Sequence, residues 1–376
     1  MSEIFKGLEF RSTISATGEL RLSLEQVTLA PPAAGEVIVQ IEAAPLNPSD
    51  LGLMFGPADL STMQVQVTTG QPAITATVHE RHLGALKKRL DLSLPVGNEG
   101  AGTVVAAGEG AQHLLGREVA AIPGGMYAQY RKLRADECTV LPPDTTTAEA
   151  AAMFVNPLTA LGFVETMRRE GYSALVHTAA ASNLGQMLVK ICQADGIPLV
   201  NIVRSQQQVE LLRGIGATYV LDSSAPDFKA RLVDAVAETG ATLGFDAVGG
   251  KLAGQILTAM EAAIDRKTIE YSRYGSAVPK QVYVYGMLDV GPIVLERGFG
   301  FTWGVGGWLL WPALQRLGNE TAERMRQRVL AELKTTFASH YTRTIGLRDL
   351  LKTDIIEAAQ RKSTGEKFLI DPTLDA

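Results

Sequence analysis

The feature that most constrains the fold is a regular alternation of short apolar runs with helical segments in the second half of the chain. Such alternation is typical of βαβ units, in which right-handed crossovers place helices on both faces of a parallel sheet. The predicted strands are Ser173–His177, Pro198–Val203, Tyr219–Leu221, Leu243–Asp246 and Val282–Tyr285. The sequence therefore predicts an α/β domain with a doubly wound parallel sheet, whose ligands bind at the carboxyl ends of the strands.

The chain before about Thr147 has a different pattern. Short alternating runs such as Glu36–Ile41 and Gly102–Ala106 are punctuated by glycine and proline, which is typical of a β-rich, barrel-like domain. A length of 376 residues also favours two domains. We therefore predict a β-rich domain over 1–146 and the parallel-sheet domain over 147–340.

Two long connections interrupt these patterns, at 51–96 and 265–281. The first contains a possible hairpin around Thr69–Pro72 and a charged helical piece from Glu80 to Leu90. The apolar stretch Phe299–Leu314 is too short and too broken by glycine to span a bilayer, so it predicts a buried wall or a subunit contact. The connections 51–96 and 265–281 are long for a compact domain, and connections of that length are usually functional or mobile.

Charge and cysteine content limit which binding partners and which cellular compartment we expect. A net charge of −5 with a pI near 5.7 gives no electrostatic reason to expect a nucleic acid or an anionic membrane as partner. The partner that we expect, a small-molecule substrate, follows from the resemblance described below. Cys138 and Cys192 are too few for a disulfide framework. Residues Met1–Arg11 lack the apolar core of a signal peptide. We expect a cytoplasmic protein.

The histidines and cysteines do not form a recognisable metal site. His79 and His82 could share a helix face, but charged neighbours favour a solvated face. No histidine is paired with a cysteine at ligand spacing, and we predict no zinc. The five histidines are His79, His82, His113, His177 and His340.

The turn after the first predicted strand is a candidate phosphate site. It runs from His177 to Gly185 and is poorer in glycine than the usual dinucleotide fingerprint. Its small residues still allow a pyrophosphate to approach a helix N-terminus, where amides and the helix dipole favour an anion. The alternative is a plain strand-to-helix turn.

Arg204, at the end of the second predicted strand, indicates which dinucleotide binds. An NAD enzyme normally places an acidic residue there for the ribose hydroxyls, whereas arginine suits a 2′-phosphate. Arg204, followed by Ser205 and Gln206, therefore favours NADPH. A surface arginine capping a strand is the alternative.

A set of motifs spread over nearly the whole chain resembles one superfamily. The chain is similar to the medium-chain dehydrogenase/reductase superfamily, in its zinc-free branch of quinone oxidoreductases and 2-enoyl thioester reductases. The resemblance implies a GroES-like catalytic domain, completed by 341–376, plus a Rossmann domain. The motifs are Leu46–Asp50, Gly97–Gly100, Val155–Ala160, Asn183–Gln186, Val203–Arg204, Val284–Met287 and Glu366–Leu369.

The resemblance also implies the chemistry. In zinc-containing relatives the positions of Asn98 and Asn156 carry a histidine and a cysteine that bind the catalytic metal. Zinc-free members deliver hydride to quinones or to the β-carbon of an activated alkene, acceptors that delocalise the arriving charge. A homodimer is common in the family, with Phe299–Leu314 as a possible contact.

The resemblance assigns cofactor contacts residue by residue. Asn156 would contact the nicotinamide, 182–184 the pyrophosphate and 204–206 the 2′-phosphate, while 284–287 would pass over the nicotinamide and Lys367 would return to the cofactor. The NADPH-binding candidates are Asn156, Thr159, Ser182, Asn183, Leu184, Arg204, Ser205, Gln206, Tyr285, Gly286, Met287 and Lys367.

The proton donor is where the chain departs from the family. Enoyl thioester reductases of the mitochondrial type carry a donor tyrosine shortly after their Asn-Pro-Ser-Asp motif, but no tyrosine occurs between Asp50 and Gly97 here. Tyr127, Tyr274 and water remain candidates. Asn47 and Asp50 orient a substrate or merely cap a turn, so the catalytic candidates are Asn47, Asp50 and Tyr127.

Three functions compete. The first is an NADPH-dependent reductase of quinones or conjugated enones, motivated by the zinc-free motifs and the missing tyrosine. The second is an enoyl-CoA or enoyl-carrier-protein reductase, for which Lys87, Lys88 and Arg89 could form a basic groove. The third is a non-catalytic NADPH-binding protein, in which an insertion fills the cleft.

Overall fold

The structure is a computed structural model that describes residues 4–68, 71–361 and 367–375. The chain divides into two compact units. Unit 1 comprises Met1–Val155 and Ala338–Ala376, and unit 2 comprises Asn156–Phe337. The boundary between the two units thus follows residue 155, whereas the sequence predicted a domain boundary after residue 146.

The first part of unit 1 is rich in short strands. Its core-facing residues alternate as expected for strands with one buried face: Leu20, Leu22 and Leu24 are buried, and the residues between them are partly exposed. The elements are β1 Phe5–Ile14, β2 Glu19–Leu29, β3 Glu36–Pro45, α1 Pro48–Phe55, β4 Asp59–Thr68, β5 Gln71–Thr77, α2 Glu80–Leu83, β6 Leu94–Pro95, β7 Gly100–Ala107, β8 Glu118–Ala121, β9 Tyr130–Arg134, β10 Thr139–Val140 and α3 Thr147–Ala150.

The connection 51–96 contains the hairpin that the sequence predicted. β4 and β5 pair antiparallel, and β5 adds this hairpin to β2. The predicted turn residues Thr69 and Gly70 lie outside the described residues. The predicted helix from Glu80 to Leu90 is wrong in length, because α2 ends at Leu83 and a 3₁₀ turn, Gly84–Leu86, follows it.

Unit 2 alternates strands and helices. The helices bury one face: in the second of its helices, Leu184, Leu188 and Ile191 recur at helical spacing and are buried. The elements are α4 Val155–Arg169, β11 Leu175–Thr178, α5 Asn183–Ala194, β12 Leu199–Val203, α6 Gln206–Gly214, β13 Tyr219–Asp222, α7 Phe228–Thr239, β14 Leu243–Asp246, α8 Leu252–Asp265, β15 Lys280–Val284, β16 Trp303–Gly307, α9 Leu310–Leu317 and α10 Asn319–Ala331.

The sheet of unit 2 is parallel, with the strand order β13-β12-β11-β14-β15-β16. It has six strands where the sequence predicted five. The sixth, β16, lies inside Phe299–Leu314, and its sequence Trp303–Gly307 has three glycines in place of an apolar run, which hid it from a hydrophobicity pattern. The predicted strand at Val282–Tyr285 is shifted to Lys280–Val284, so Tyr285 follows the strand.

The C-terminal part of the chain belongs to unit 1. It contains β17 Arg343–Ile345, α11 Thr353–Arg361 and β18 Phe368–Ile370. β18 pairs antiparallel with the end of β3 and parallel with β17. Unit 1 therefore has two sheets, a five-stranded one in the order β4-β5-β2-β1-β6 and a seven-stranded one in the order β10-β8-β7-β3-β18-β17 with β9 on β3.

One segment of the described residues, Thr147–Arg169, is long and apolar enough to cross a membrane. Its most apolar window is 83% buried, as in a helix that packs in a protein core. The first four residues of this segment form α3, which contacts β3, β7 and β8. These contacts explain why the division between the units falls after 146.

Candidate functional site

The strand order of unit 2 places a candidate site at the carboxyl ends of β11 and β14. The chain proceeds outward from β11 through β12 to β13 and then resumes on the other side at β14, which makes this point the switch of the doubly wound sheet. Thr178 ends β11 and Asp246 ends β14, and the Thr178 hydroxyl donates to Asp246 Oδ1 at 2.7 Å. The two strand ends are thereby joined.

Asp246 also shapes the turn that follows it. Its carboxylate accepts the main-chain N–H of Val248 at 2.9 Å and of Gly249 at 3.1 Å. Burial raises the pKa of Asp246, against the lowering effect of these hydrogen bonds. A buried carboxylate with three donors is a rigid turn anchor, and the sequence had indicated the carboxyl ends of the strands without assigning this role to Asp246.

The predicted phosphate turn joins β11 to α5. Ala179 has a positive φ of 49°, and Ser182 caps α5 by accepting the N–H of Gly185 at 3.1 Å. A Cβ on Gly185 would lie 2.1 Å from the carbonyl oxygen of Ala180, so only glycine allows the helix to start this close to the turn. The predicted residues Asn183 and Leu184 form the first turn of α5, whose amides point to the end of β11.

The three residues predicted for the 2′-phosphate lie together at the start of α6. Arg204 is exposed, and its main-chain N–H donates to Gln208 Oε1 at 3.0 Å. Ser205 is the N-cap residue of α6, with its hydroxyl 3.4 Å from the amide of Gln208. Gln206 is exposed and begins the helix. Sequence reasoning missed Gln208, which braces the main chain at Arg204.

The segment after β15 runs beside Asp246. The main-chain N–H of Tyr285 donates to the Asp246 carbonyl oxygen at 2.9 Å. A Cβ on Gly286 would lie 3.0 Å from the Ala247 carbonyl oxygen, so glycine permits this close approach. Met287 is 66% exposed. These three predicted residues therefore line the same edge of the sheet as the phosphate turn.

His177 begins the predicted phosphate turn, but sequence reasoning assigned no role to its side chain. Its side chain is fully buried in β11, and Nε2 lies 2.8 Å from the Tyr285 hydroxyl. Burial lowers the pKa of His177 to about 3, so the ring is neutral at physiological pH. Burial, reinforced by the Asp246 charge, raises the pKa of Tyr285 well above its usual range. A lone histidine within an apolar strand was the available signal.

Aromatic rings surround this pair. Phe163 of α4 stacks on Phe245 with centroids 4.0 Å apart, and its ring lies 4.7 Å from Tyr285 and 4.8 Å from Trp308. The predicted residues Asn156 and Thr159 lie on α4 too, three residues apart and so on one face. Thr159 is buried and Asn156 is half-buried.

Unit 1 has its own polar cluster, where β3 ends. Asn47 and Asp50 are both buried, and Asp50 Oδ2 accepts the main-chain N–H of Asn47 at 2.8 Å while Oδ1 accepts that of Asn98 at 2.9 Å. Asp50 thus caps the start of α1 and ties it to the Gly97–Gly100 loop. Burial raises the pKa of Asp50 to about 7, and the charge of Glu99 adds to this rise.

Glu99 is the centre of this cluster, and the sequence did not single it out. It is fully buried; Oε1 accepts from Asn47 Nδ2 at 2.8 Å, and Oε2 accepts the N–H groups of Phe154 at 2.8 Å and Val155 at 3.0 Å. Burial raises the pKa of Glu99, while these bonds and the nearby Lys367 charge oppose the rise. Its place in the Gly97–Gly100 motif was the available signal.

Tyr127 is buried in the core of unit 1, next to Asp50, another of the predicted catalytic residues. It has no exposed surface, and its hydroxyl donates to the Pro45 carbonyl oxygen at 3.0 Å. Burial, with the charge of Asp50, raises its pKa well above the usual range. Its ring packs so tightly that a Cβ on Gly97 would lie 2.5 Å from it. The tyrosine therefore supports the loop that carries Asn98 and Glu99.

Lys367 lies one residue before β18, next to this cluster. The main-chain N–H of Leu46 donates to the Phe368 carbonyl oxygen, which brings the segment beside Asn47. Lys367 Nζ donates to Ser339 Oγ at 3.2 Å and lies 5.2 Å from the centroid of the Tyr341 ring. Burial lowers the pKa of Lys367 to about 8, against the effect of the Glu99 and Asp50 charges.

The position expected to hold a metal ligand in zinc relatives has an ordinary polar contact here. Asn98 Nδ2 donates to Ser49 Oγ at 2.9 Å. Over the residues 4–68, 71–361 and 367–375, no group of three histidine, cysteine, aspartate or glutamate side chains is arranged to hold a metal ion. His82 lies on helix α2, and His79 is the residue that precedes this helix. His79 is exposed and His82 is half-buried.

Sequence comparison relates the chain to known reductases. Residues 184–263 match the zinc-binding dehydrogenase family; the match lies in unit 2 and contains one cysteine and no histidine. The mitochondrial enoyl-[acyl-carrier-protein] reductase of Bos taurus is 26% identical over 247 residues, 63% of this chain and 58% of that protein. The chain thus spans little more than half the length of this curated relative.

The fold matches solved structures over nearly its whole length. A Mesorhizobium loti structure assigned as an NADPH:quinone reductase superposes with a TM-score of 0.72 at 24% identity, covering 99% of both chains. The complex of Etr1p with NADP and crotonyl-CoA has a TM-score of 0.68 at 19% identity, covering 98% of this chain and 100% of the other. The chain therefore has the fold of these quinone and enoyl thioester reductases, and part of its unit 2 is similar in sequence to the zinc-binding dehydrogenase family.

Proposed function

We propose that the protein is an NADPH-dependent, zinc-independent oxidoreductase that transfers hydride to a quinone or to an activated C=C bond of an enone. The observation that carries the proposal is Arg204, exposed at the carboxyl end of β12 beside the switch point. An arginine therefore follows β12, at the position where an NAD enzyme normally has an acidic residue. Asp222 ends the neighbouring strand β13, in register with Val203.

The residues present fit a phosphorylated dinucleotide. The capped start of α5 offers main-chain amides to a pyrophosphate, and Gly185 keeps that helix end close to β11. Arg204 and Ser205 offer donors to a 2′-phosphate at the start of α6. The M. loti relative is assigned to NADPH and the Etr1p complex contains NADP.

When bound, NADPH supplies a hydride from its nicotinamide ring. The chain positions the ring through the segment that follows β15, which Asp246 holds by the main-chain bond to Tyr285. Asn98 and Asn156 replace the metal ligands of zinc relatives, so the acceptor must spread the arriving charge itself. Quinones and enones do so, and a quinone needs no placed carbon acid.

A second candidate is an enoyl-CoA or enoyl-carrier-protein reductase. The bovine relative is such an enzyme by name, and Etr1p was crystallised with crotonyl-CoA. The basic groove suggested by the sequence is smaller than expected, because Arg89 Nη2 donates to Ser12 Oγ at 2.8 Å and to the Leu53 carbonyl oxygen. Lys87 and Lys88 remain exposed.

The substrates that the protein reduces distinguish these candidate functions. NADPH oxidation is followed at saturating nucleotide with a simple benzoquinone, a conjugated enone and crotonyl-CoA, each with and without a chelator. Activity with the quinone or enone that survives chelation supports the proposal. Activity with crotonyl-CoA alone favours the second candidate. Tight NADPH binding without any turnover supports a non-catalytic NADPH-binding protein and overturns both.

We also propose that the protein is a cytoplasmic homodimer joined through β16. This strand is at one edge of the six-stranded sheet, with unpaired main-chain groups on one side. Trp303 is 39% exposed and Trp311, on α9, is 48% exposed. Light scattering tests the mass in solution. Val305→Pro, which breaks the strand, is expected to yield monomers. A wild type that has the mass of a monomer contradicts the proposal.

A further inference from the structure

A short segment after β15, residues 287–295, exposes a dense run of apolar side chains. Large apolar residues fill most of its positions, and each of them is between 38% and 94% exposed. They are Met287, Leu288, Val290, Ile293, Val294 and Leu295. Single exposed apolar side chains are normal on a protein surface, whereas a contiguous group of them marks a place where something binds. We call the segment 287–295 the apolar strap.

The apolar strap is fixed to the turn between β14 and α8. The main-chain N–H of Leu288 donates to the Ala247 carbonyl oxygen at 3.1 Å, and that of Val294 donates to the Gly250 carbonyl oxygen at 2.8 Å. A Cβ on Gly254 would lie 2.8 Å from the Val294 carbonyl oxygen, so a glycine allows the strap to lie this close to α8. The strap is therefore held by its main chain near both ends, while its apolar side chains stay exposed.

These contacts place the apolar strap at the switch point of the sheet of unit 2. Ala247 directly follows Asp246, which ends β14, and β14 lies beside β11 where the strand order reverses. Doubly wound sheets bind their ligands at the carboxyl ends of the strands at this point. The exposed side chains of the strap therefore lie beside the edge where we propose that hydride is transferred.

The chemistry of the apolar strap suits an uncharged ligand. Asp289 is its one charged residue, and the Asp289 carboxylate turns back on the strap, where Oδ1 accepts the main-chain N–H of Gly291 at 2.8 Å. A phosphate or a carboxylate finds no cation within 287–295. Hydrocarbon gains in proportion to the apolar area that it removes from water, so a hydrocarbon chain is the ligand that this surface selects.

We propose that the apolar strap binds the hydrocarbon tail of the substrate, so that the acceptor is a quinone or an enone with an alkyl or isoprenoid chain. The inference rests on the proposed function and names the substrate class within it. The head group is reduced at the switch point, and the tail lies along the strap, which continues from that point on the same edge. A second copy of the chain and a lipid surface are the alternative occupants.

A series of 2-alkyl-1,4-benzoquinones with tails of up to eight carbons tests the inference. The Kd is measured in the presence of NADP⁺, without turnover, by quenching of tryptophan fluorescence, and the KM by NADPH oxidation. Each added methylene is expected to tighten binding about twofold, because a fully buried methylene is worth about fourfold and the strap covers one side of the tail.

Two variants show whether this dependence belongs to the apolar strap. The double variant Val290→Ser/Ile293→Ser replaces exposed side chains of the strap and is expected to lose most of the dependence of Kd and KM on tail length. The matched control is Ile269→Ser, which replaces an exposed apolar side chain in the connection before β15 and is expected to retain it.

The outcomes separate the inference from the proposed function. Reduction of benzoquinones with an affinity that does not depend on tail length overturns the inference alone, as does an equal dependence in the wild type and the double variant. Absence of turnover with every quinone and enone overturns the proposed function and the tail site with it. A double variant that becomes monomeric in light scattering makes the strap a subunit contact. A wild type that sediments with phosphatidylcholine vesicles, when the double variant does not, makes it a lipid contact. Either result also overturns the inference.

Discussion

Thr178 and Asp246 are joined by a 2.7 Å hydrogen bond between the ends of β11 and β14, at the switch point of the sheet of unit 2. The Thr178 hydroxyl also accepts the main-chain N–H of Ala247 at 2.8 Å. One buried hydroxyl therefore fixes both the acid and the turn that follows it. This contact lies at the edge of the sheet where we propose that NADPH binds.

Replacing this hydroxyl by a methyl group tests its importance. Thr178→Val keeps the side-chain shape but leaves Asp246 and the Ala247 amide each short of a partner, so we expect a loss of about 1–3 kcal/mol in the free energy of unfolding. Urea denaturation measures it. The control is Thr258→Val, whose hydroxyl bonds the Gly254 carbonyl within α8; equal losses in the two variants would contradict a special role for Thr178.

Arg204→Ala tests the cofactor preference. We expect a loss of about 1.5–3 kcal/mol in apparent binding of NADPH, seen as a higher KM, because a charged hydrogen bond to the 2′-phosphate disappears. The KM for NADH should change much less. Arg213→Ala, an exposed arginine in the last turn of α6, is the control and should affect neither nucleotide. Equal effects of Arg204→Ala on both nucleotides would count against the assignment.

Gly185→Ala tests the phosphate turn. The added Cβ would lie 2.1 Å from the Ala180 carbonyl oxygen, so the start of α5 must move away from β11. We expect weaker NADPH binding in a titration of nucleotide fluorescence and a lower melting temperature. Gly214→Ala, at the end of α6 where a Cβ meets no atom within 4 Å, should preserve both. A Gly185→Ala variant with wild-type affinity would show that the turn does not hold the pyrophosphate.

His177 should make the stability of the protein depend on pH. Its pKa is about 3 in the folded protein and near 6.5 when unfolded, so between these values only the unfolded chain takes up the proton. Stability therefore falls as pH drops from about 6.5 towards 3, by up to about 1.4 kcal/mol per pH unit from this group. Relative to His177→Gln, the melting temperature of the wild type should decline more steeply in this window. Parallel pH profiles would refute the burial of a neutral imidazole.

Glu99→Gln tests the cluster of unit 1. The carboxylate accepts from Asn47 Nδ2 and from the amides of Phe154 and Val155, and a glutamine presents an NH₂ group to some of these donors. We expect a loss of about 1–3 kcal/mol in the free energy of unfolding. Glu149→Gln, which changes a half-buried carboxylate that accepts the Thr146 amide, should cost less. A Glu99→Gln variant as stable as the control would mean that the cluster tolerates an unpaired donor.

Local patterns in the sequence predicted much of the fold. The runs that became β11, β12 and β14 are rich in apolar residues and buried throughout, because both faces of the interior strands of a parallel sheet are covered, so hydrophobicity marks them. β16 has no such run, since glycines fill Trp303–Gly307, and it becomes a strand by pairing with β15. Strand pairing joins residues that are distant in the sequence, so the local composition of a strand does not predict it.

The residues of the candidate site, like the strands, are partly predictable from local sequence and partly defined only by long-range contacts. By itself the sequence determined the turn rich in small residues before α5, the arginine after β12 and the asparagines at 98 and 156, because each is a residue type at a position along the chain. Only the tertiary structure decided that His177 meets Tyr285, that Thr178 meets Asp246 and that Glu99 collects three donors. These contacts join residues more than fifty positions apart, and the burial that makes them count arises only when the strands assemble.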